Sequence, residues 1–265
     1  MQKYEGLLIH QEQDEQGLIE IVEKNGVRAL HFGSSSQQSS LSLTKHNELH
    51  ARYARAMMAW MLFKERPENV LMIGLGGGVI AKYMLYHFDN CQMKVIEFRQ
   101  AMLKVARRFF GLPLHRNLKV KIADGADYIN QQTTPAQHDL IFIDAFDAEG
   151  MSEIVQGLDF FKRCKELLSA DGILVINLWG SQNENFKQLV NEIGITFEWR
   201  VLFLPVRKRG NIIALAFPAD FPAVSMKTIR RRAKYLDSQY QIEFLDFIKD
   251  LKRNNGVTLN KVITE

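Results

Sequence analysis

The chain has little cysteine, no long oily run and no basic, apolar leader. Cys91 and Cys164 are its two cysteines in 265 residues, and neither has a Cys or His neighbour at metal-ligand spacing. That excludes a disulfide framework or a structural zinc site and predicts two buried free thiols. His46, His50 and His138 are each read as surface or satisfied core residues, so no metal is expected. The longest apolar stretches, such as Ile173 to Trp179 and Val201 to Val206, are far short of the roughly 20 residues that a membrane-spanning helix needs. Glutamines and acids fill the N-terminus where a secretory signal would be basic and then apolar, so the cytoplasm is the expected location. Internal repeats are also missing, and the only compositionally biased stretch is the short Ser/Gln run Ser34 to Ser40.

What is present is an ordinary globular balance, 46% hydrophobic and 24% charged residues, at a length that suits one α/β domain with an appendage at each end. The net charge of +4 is concentrated locally in Lys227, Arg230, Arg231, Arg232 and Lys234. Such a cluster reads as a solvated helix face and argues against a nucleic-acid partner.

Residues 1 to about 45 read as short strands at Leu7 to Ile9, Leu18 to Val22 and Arg28 to Phe32, with Asn25-Gly26 as a hairpin turn. A helical pattern follows from Asn47 to Phe63, closed by Pro67. From Asn69 strands and helices alternate, which predicts a parallel sheet covered on both faces. The strands are expected at Val70–Gly74, Met93–Phe98, Leu118–Ala123, Asp139–Ile143 and Ile173–Leu178. Helices are expected at Val79–Phe88, Arg99–Phe109, Gly157–Ser169 and Asn183–Ile193. Two closing strands, Thr196–Leu204 and Asn211–Phe217, flank the basic turn Arg207 to Gly210. The pattern predicts a Rossmann-like class I methyltransferase-type fold: a mostly parallel seven-stranded sheet with a small N-terminal β region and a C-terminal helical tail. The expected segments are 1–66, 67–218 and 219–265, the last an amphipathic helix pair.

The first strand runs directly into Gly74-Leu75-Gly76-Gly77-Gly78 and then a helix. Glycines at 74, 76 and 78 permit a sharp turn and close ligand approach ahead of an electropositive helix N-terminus. A dinucleotide fingerprint would need glycine at 79, where Val79 stands, so NAD and FAD are disfavoured. Glu97 ends the next strand about twenty residues on, where a carboxylate can accept both hydroxyl protons of a ribose. Asp124, before Gly125, ends the third strand, where it can either cap a helix or accept an adenine amino group. Asp144 and Asp147 follow the fourth strand, as a candidate base and a candidate holder of a second amino group, or as loop caps.

Over about residues 18–180 the chain resembles the spermidine synthase family of polyamine aminopropyltransferases. The resemblance rests on the glycine turn at 74–78, Glu97, Asp124-Gly125, Asp144 with Asp147, and the segment from Phe160-Phe161 to Gly172-Ile173-Leu174-Val175. It implies decarboxylated S-adenosylmethionine as co-substrate, a small-molecule amine as acceptor and a homodimer. It assigns Glu97 to the ribose, Asp124 to the adenine, Asp144 to the base and Asp147 to the polyamine, and it draws Gln38 toward the substrates. The family carries an aspartate for the aminopropyl ammonium where this chain has Gly77, and a proline and a glycine-rich gate where it has Ala148 to Met151. Two other readings follow. Loss of that carboxylate suits an S-adenosylmethionine-dependent methyltransferase, and a noncatalytic nucleoside-binding module would keep the pocket while the basic tail meets an acidic partner.

Overall fold

The computed structural model describes residues 4–134, 137–145, 157–180 and 184–265. The N-terminal strands β1 (Leu7–Asp14), β2 (Gly17–Lys24), β3 (Val27–His31) and β4 (Ser39–Ser42) form an antiparallel sheet in chain order. Asn25 and Gly26 both have positive φ, as the expected hairpin requires. The serine-rich β4 carries no strand signal of its own. It exists because it completes the ladder on β3, with Ala29 opposite Ser40 and Leu30 opposite Ser39.

The helix expected over 47–63 is shorter and composite. α1 covers Arg52–Met57 and passes into a 3-10 turn at Met58–Leu62, all five residues of which are buried. Then come β5 (Asn69–Ile73), α2 (Val79–His87), β6 (Gln92–Glu97), α3 (Gln100–Phe110), β7 (Leu118–Ile122), α4 (Gly125–Asn130), β8 (His138–Ile143), α5 (Leu158–Leu167), β9 (Leu168–Trp179), α6 (Glu184–Thr196), β10 (Val201–Pro205) and β11 (Asn211–Ala216). The seven strands lie in the order β10-β11-β9-β8-β5-β6-β7. β11 runs antiparallel to both its neighbours and the rest are parallel. This is the expected sheet. The tenth strand starts later than expected because the chain after α6 turns through Glu198 and Trp199 in left-handed conformation.

The strands read as oily runs because helices cover both faces, and their alternation sorts side chains into two layers. Val70, Met72, Leu140, Phe142, Ile173 and Val175 point into a core shared with α2, α3, the N-terminal sheet and the C-terminal helices. Leu71, Ile73, Ile141, Ile143, Leu174 and Ile176 point into the opposite core, against α4, α5 and α6. At the sheet edge Leu118 and Val120 of β7 pack half-buried against the first core, while Lys119, Lys121 and Ile122 are exposed. The tail folds as β12 (Val224–Ser225), α7 (Met226–Tyr240), α8 (Phe244–Asn254) and β13 (Ile263–Thr264), with β12 and β13 paired in parallel. No helix among the described residues is long and apolar enough to cross a membrane.

One feature of the strand order positions the site. β5 pairs with β6 on one side and with β8 on the other, so the connections leaving β5 and β8 part in opposite directions. That leaves a crevice outside the carboxyl ends of these strands, where ligands of open α/β sheets bind.

Candidate active site

The glycine turn forms one wall of the crevice. Gly74, Gly76 and Gly78 have φ of 93°, 52° and 69°. At Gly74 a side chain is barred twice: by its left-handed backbone, and because a Cβ would lie 2.2 Å from the Asp144 carbonyl oxygen. This close approach lets Gly74 N–H donate to Ile96 at 2.8 Å and Asp144 N–H donate to Ile73 at 2.9 Å, locking β5 between its neighbours.

Glu97 ends β6 and is 7% exposed. Its carboxylate accepts from Leu75 N–H and Arg99 N–H, each at 2.7 Å. Loss of hydration raises its pKa, while the Arg99, Leu75 and Gly76 amides and the Arg99 charge oppose the rise. Glu97 thus joins the second strand to the glycine turn. Phe98, the next residue, is a large aromatic side chain left 54% exposed. Its position beside Glu97 is a signal that strand periodicity overlooks.

Asp124 is the N-cap of α4, accepting from Asp127 N–H at 2.9 Å, and Gly125 is the buried first residue of that helix. The capping alternative for Asp124 is therefore realised through Oδ1.

Asp144 follows β8 and lies part-buried at the crevice floor. Its pKa is raised to about 6, chiefly by lost hydration and further by the Glu97 charge, against the stabilising Asn177 N–H. Asn177 Nδ2 donates to Asp144 Oδ1 at 2.8 Å, and Asn211 Nδ2 donates to Asn177 Oδ1 at 3.0 Å. Both asparagines are buried polar residues in apolar strands, and reading those strands as core missed them. Tyr53 of α1 also faces this group: lost hydration and then the Asp144 charge push its phenol pKa well up. Its hydroxyl donates to the Gln38 carbonyl at 2.9 Å. Gln38 therefore reaches this neighbourhood through its backbone. Asp147 lies outside the described residues.

The N-terminal sheet is tied to the crevice by Arg99, whose Nε and Nη2 donate to Asp14 at 2.8 and 2.7 Å. The bidentate pair holds the Asp14 carboxyl below its usual pKa range, mainly through these hydrogen bonds. Gly77 lines the same side. A Cβ there would lie 2.8 Å from Ser39 Oγ and 3.0 Å from the Phe110 ring, so β4 and α3 fill the space that a side chain at 77 would take. No group of three or more His, Cys, Asp or Glu among the described residues is placed to hold a metal ion.

A mostly parallel seven-stranded sheet with an antiparallel closing hairpin and a crevice at its switch point defines the Rossmann-like class of methyltransferase-type folds. The family model described as "Spermine/spermidine synthase domain" matches residues 51–198. A polyamine aminopropyltransferase of Chromobacterium violaceum is 32% identical over 246 residues, covering 92% of this chain and 93% of that protein. The chain belongs to the spermine/spermidine synthase family. A spermidine synthase solved in complex with the transition-state analogue AdoDATO superposes with a TM-score of 0.73 at 17% identity, over 94% of this chain and 88% of that one. The mouse eEF1A lysine and N-terminal methyltransferase is 32% identical over 155 residues, 55% of this chain and 22% of that protein.

Proposed function

We propose that the protein is an aminopropyltransferase that moves the aminopropyl group of decarboxylated S-adenosylmethionine onto a polyamine amine. The observation that carries the reading is Asp144: a carboxyl with pKa near 6 at the carboxyl end of β8, facing Glu97 across the glycine turn and oriented by Asn177. Membership of a family with polyamine aminopropyltransferase relatives supports it.

In this reading Glu97 holds the ribose hydroxyls, Phe98 offers its face to the adenine, and Asp124 meets the adenine amino group with the oxygen its cap leaves over. Gly74, Gly76 and Gly78 let the nucleoside lie against backbone. The bound sulfonium supplies an electrophilic carbon and a neutral thioether leaving group. Asp144, ionised above pH 6, accepts a proton from the acceptor nitrogen. That nitrogen forms the new C–N bond as the C–S bond breaks, and the bond pair stays on sulfur. Asn177 and Asn211 fix the carboxylate so that no reorganisation is needed at that moment, and Asp147 serves the second amino group of the acceptor.

Turnover of decarboxylated S-adenosylmethionine with putrescine, lowered about 10²–10⁴-fold in Asp144→Asn while nucleoside binding persists, is the expected result. Turnover unaffected by Asp144→Asn would overturn the role of this residue.

A second reading is favoured by Gly77, since Ser39 and Phe110 occupy the space of a side chain there and leave no carboxylate for an aminopropyl ammonium. Methyl transfer from intact S-adenosylmethionine fits that wall. Calorimetric titration with the intact and the decarboxylated nucleoside separates the two, because the ligands differ by one charged carboxylate.

A further inference from the structure

A second concave feature lies far along the chain from the crevice, between α7 and the C-terminal segment. Parallel pairing of Val224 with Ile263 and Ser225 with Thr264 brings that segment beside the start of α7. The cleft this leaves has a volume of about 700 Å³, within the range of small-molecule sites. Lys227, Arg230, Arg231 and Lys234 of α7 and Lys252 of α8 line it, against the single acid Glu265.

The spacing puts the four α7 cations on one helical face, three and four residues apart. Among the described residues none of the five has an ion pair or a side-chain hydrogen bond. Arg232, on the opposite face of α7, instead donates to the Leu62 carbonyl at 3.1 Å and to Glu65 at 2.8 Å, fastening the helix to the body of the protein. The chain's formal net charge is +4, and without the five cleft cations the remainder would stand at −1. With Glu265 counted, the side chains of the cleft carry a formal charge of +4. Met226, Leu259 and Ile263 give it an apolar floor, and no aromatic ring lines it, so there is no platform for stacked bases. From Lys227 to Lys234 is about 10 Å along the helix, a span over which the four cations can serve more than one phosphate group.

We propose that this cleft is a binding site for a small molecule bearing two or more phosphate groups. The α7 cations take successive phosphates, and Lys252 closes the cleft from α8. The site is independent of the reaction at Asp144.

The test is calorimetry on the full chain with inorganic tripolyphosphate, with orthophosphate and a short oligothymidylate as separate titrants. Each is repeated on Arg230→Gln/Arg231→Gln and on Arg107→Gln/Arg108→Gln, an equal charge change at exposed positions of α3. The expected result is saturable tripolyphosphate binding, weak orthophosphate binding, and a Kd raised about tenfold or more by the α7 pair only. Equal losses in both variants, or no tripolyphosphate binding, would overturn the site. Binding of the oligonucleotide alone would replace it with a nucleic-acid surface.

Discussion

The crevice and the α7 cleft handle charge in opposite ways. At the crevice Glu97 and Asp144 are withdrawn from water, each is held by N–H donors, and both pKa values are raised. In the α7 cleft, five cations remain exposed and unpaired among the described residues. Burial makes a site sensitive to pH and to single atoms, whereas exposure makes it sensitive to salt. The crevice is therefore the place where one substitution should decide chemistry.

The largest expected effect is Asp144→Asn, with kcat/KM lowered about 10²–10⁴-fold, the range for loss of a general base. In the wild type the acidic limb of the kcat/KM profile should rise through pH 6, because the ionised form is the active one. A limb that persists in the variant would assign it elsewhere. The same substitution sharpens the comparison in stability. The Asp144 pKa is raised on folding, so its ionisation penalises the folded state above about pH 6 and not below the ordinary aspartate value. Asp144→Asn should therefore match or exceed the wild-type melting temperature at neutral pH, and lose that advantage as pH falls toward 4.

Next is Gly74→Ala, expected to cost about 3 kcal/mol or more in chemical denaturation, since a Cβ would collide with the Asp144 backbone. Glu97→Gln should weaken nucleoside binding by about 10–100-fold, as expected for a hydrogen bond that loses its charge, and calorimetry reads it directly. The smallest effect is Arg99→Ala, expected to cost about 1–2 kcal/mol of stability and to raise the nucleoside KM more than it lowers kcat, because it loosens the Asp14 contact while leaving Asp144 in place.

Much of the fold was legible because a sheet covered on both faces writes itself as oily strands at regular spacing, and the glycines and acids mark the strand ends. Gly74, Glu97 and Asp144 meet at one crevice for that reason. What escaped follows other physics. β4 is a run of serines made a strand by its partner, and α4 is too short for a helical period to show. The Met58–Leu62 turn is buried all round, so it has no polar face to reveal its departure from α-helix. Asn177 and Asn211 hide because one polar residue in an apolar strand looks like noise until the partner across the sheet is known.

The packing at Gly77 constrains how this wall can change through successive substitutions. Ser39 and the fully buried Phe110 ring stand where a new side chain would go, so Gly77→Asp meets a clash before its carboxylate can serve any ligand. Replacing Ser39 with glycine removes the Oγ contact but leaves the Phe110 ring 3.0 Å from the new Cβ, so a side chain at 77 needs both neighbours to give way. The buried ring of α3 and the serine of β4 therefore guard the glycine turn together against any acquired carboxylate.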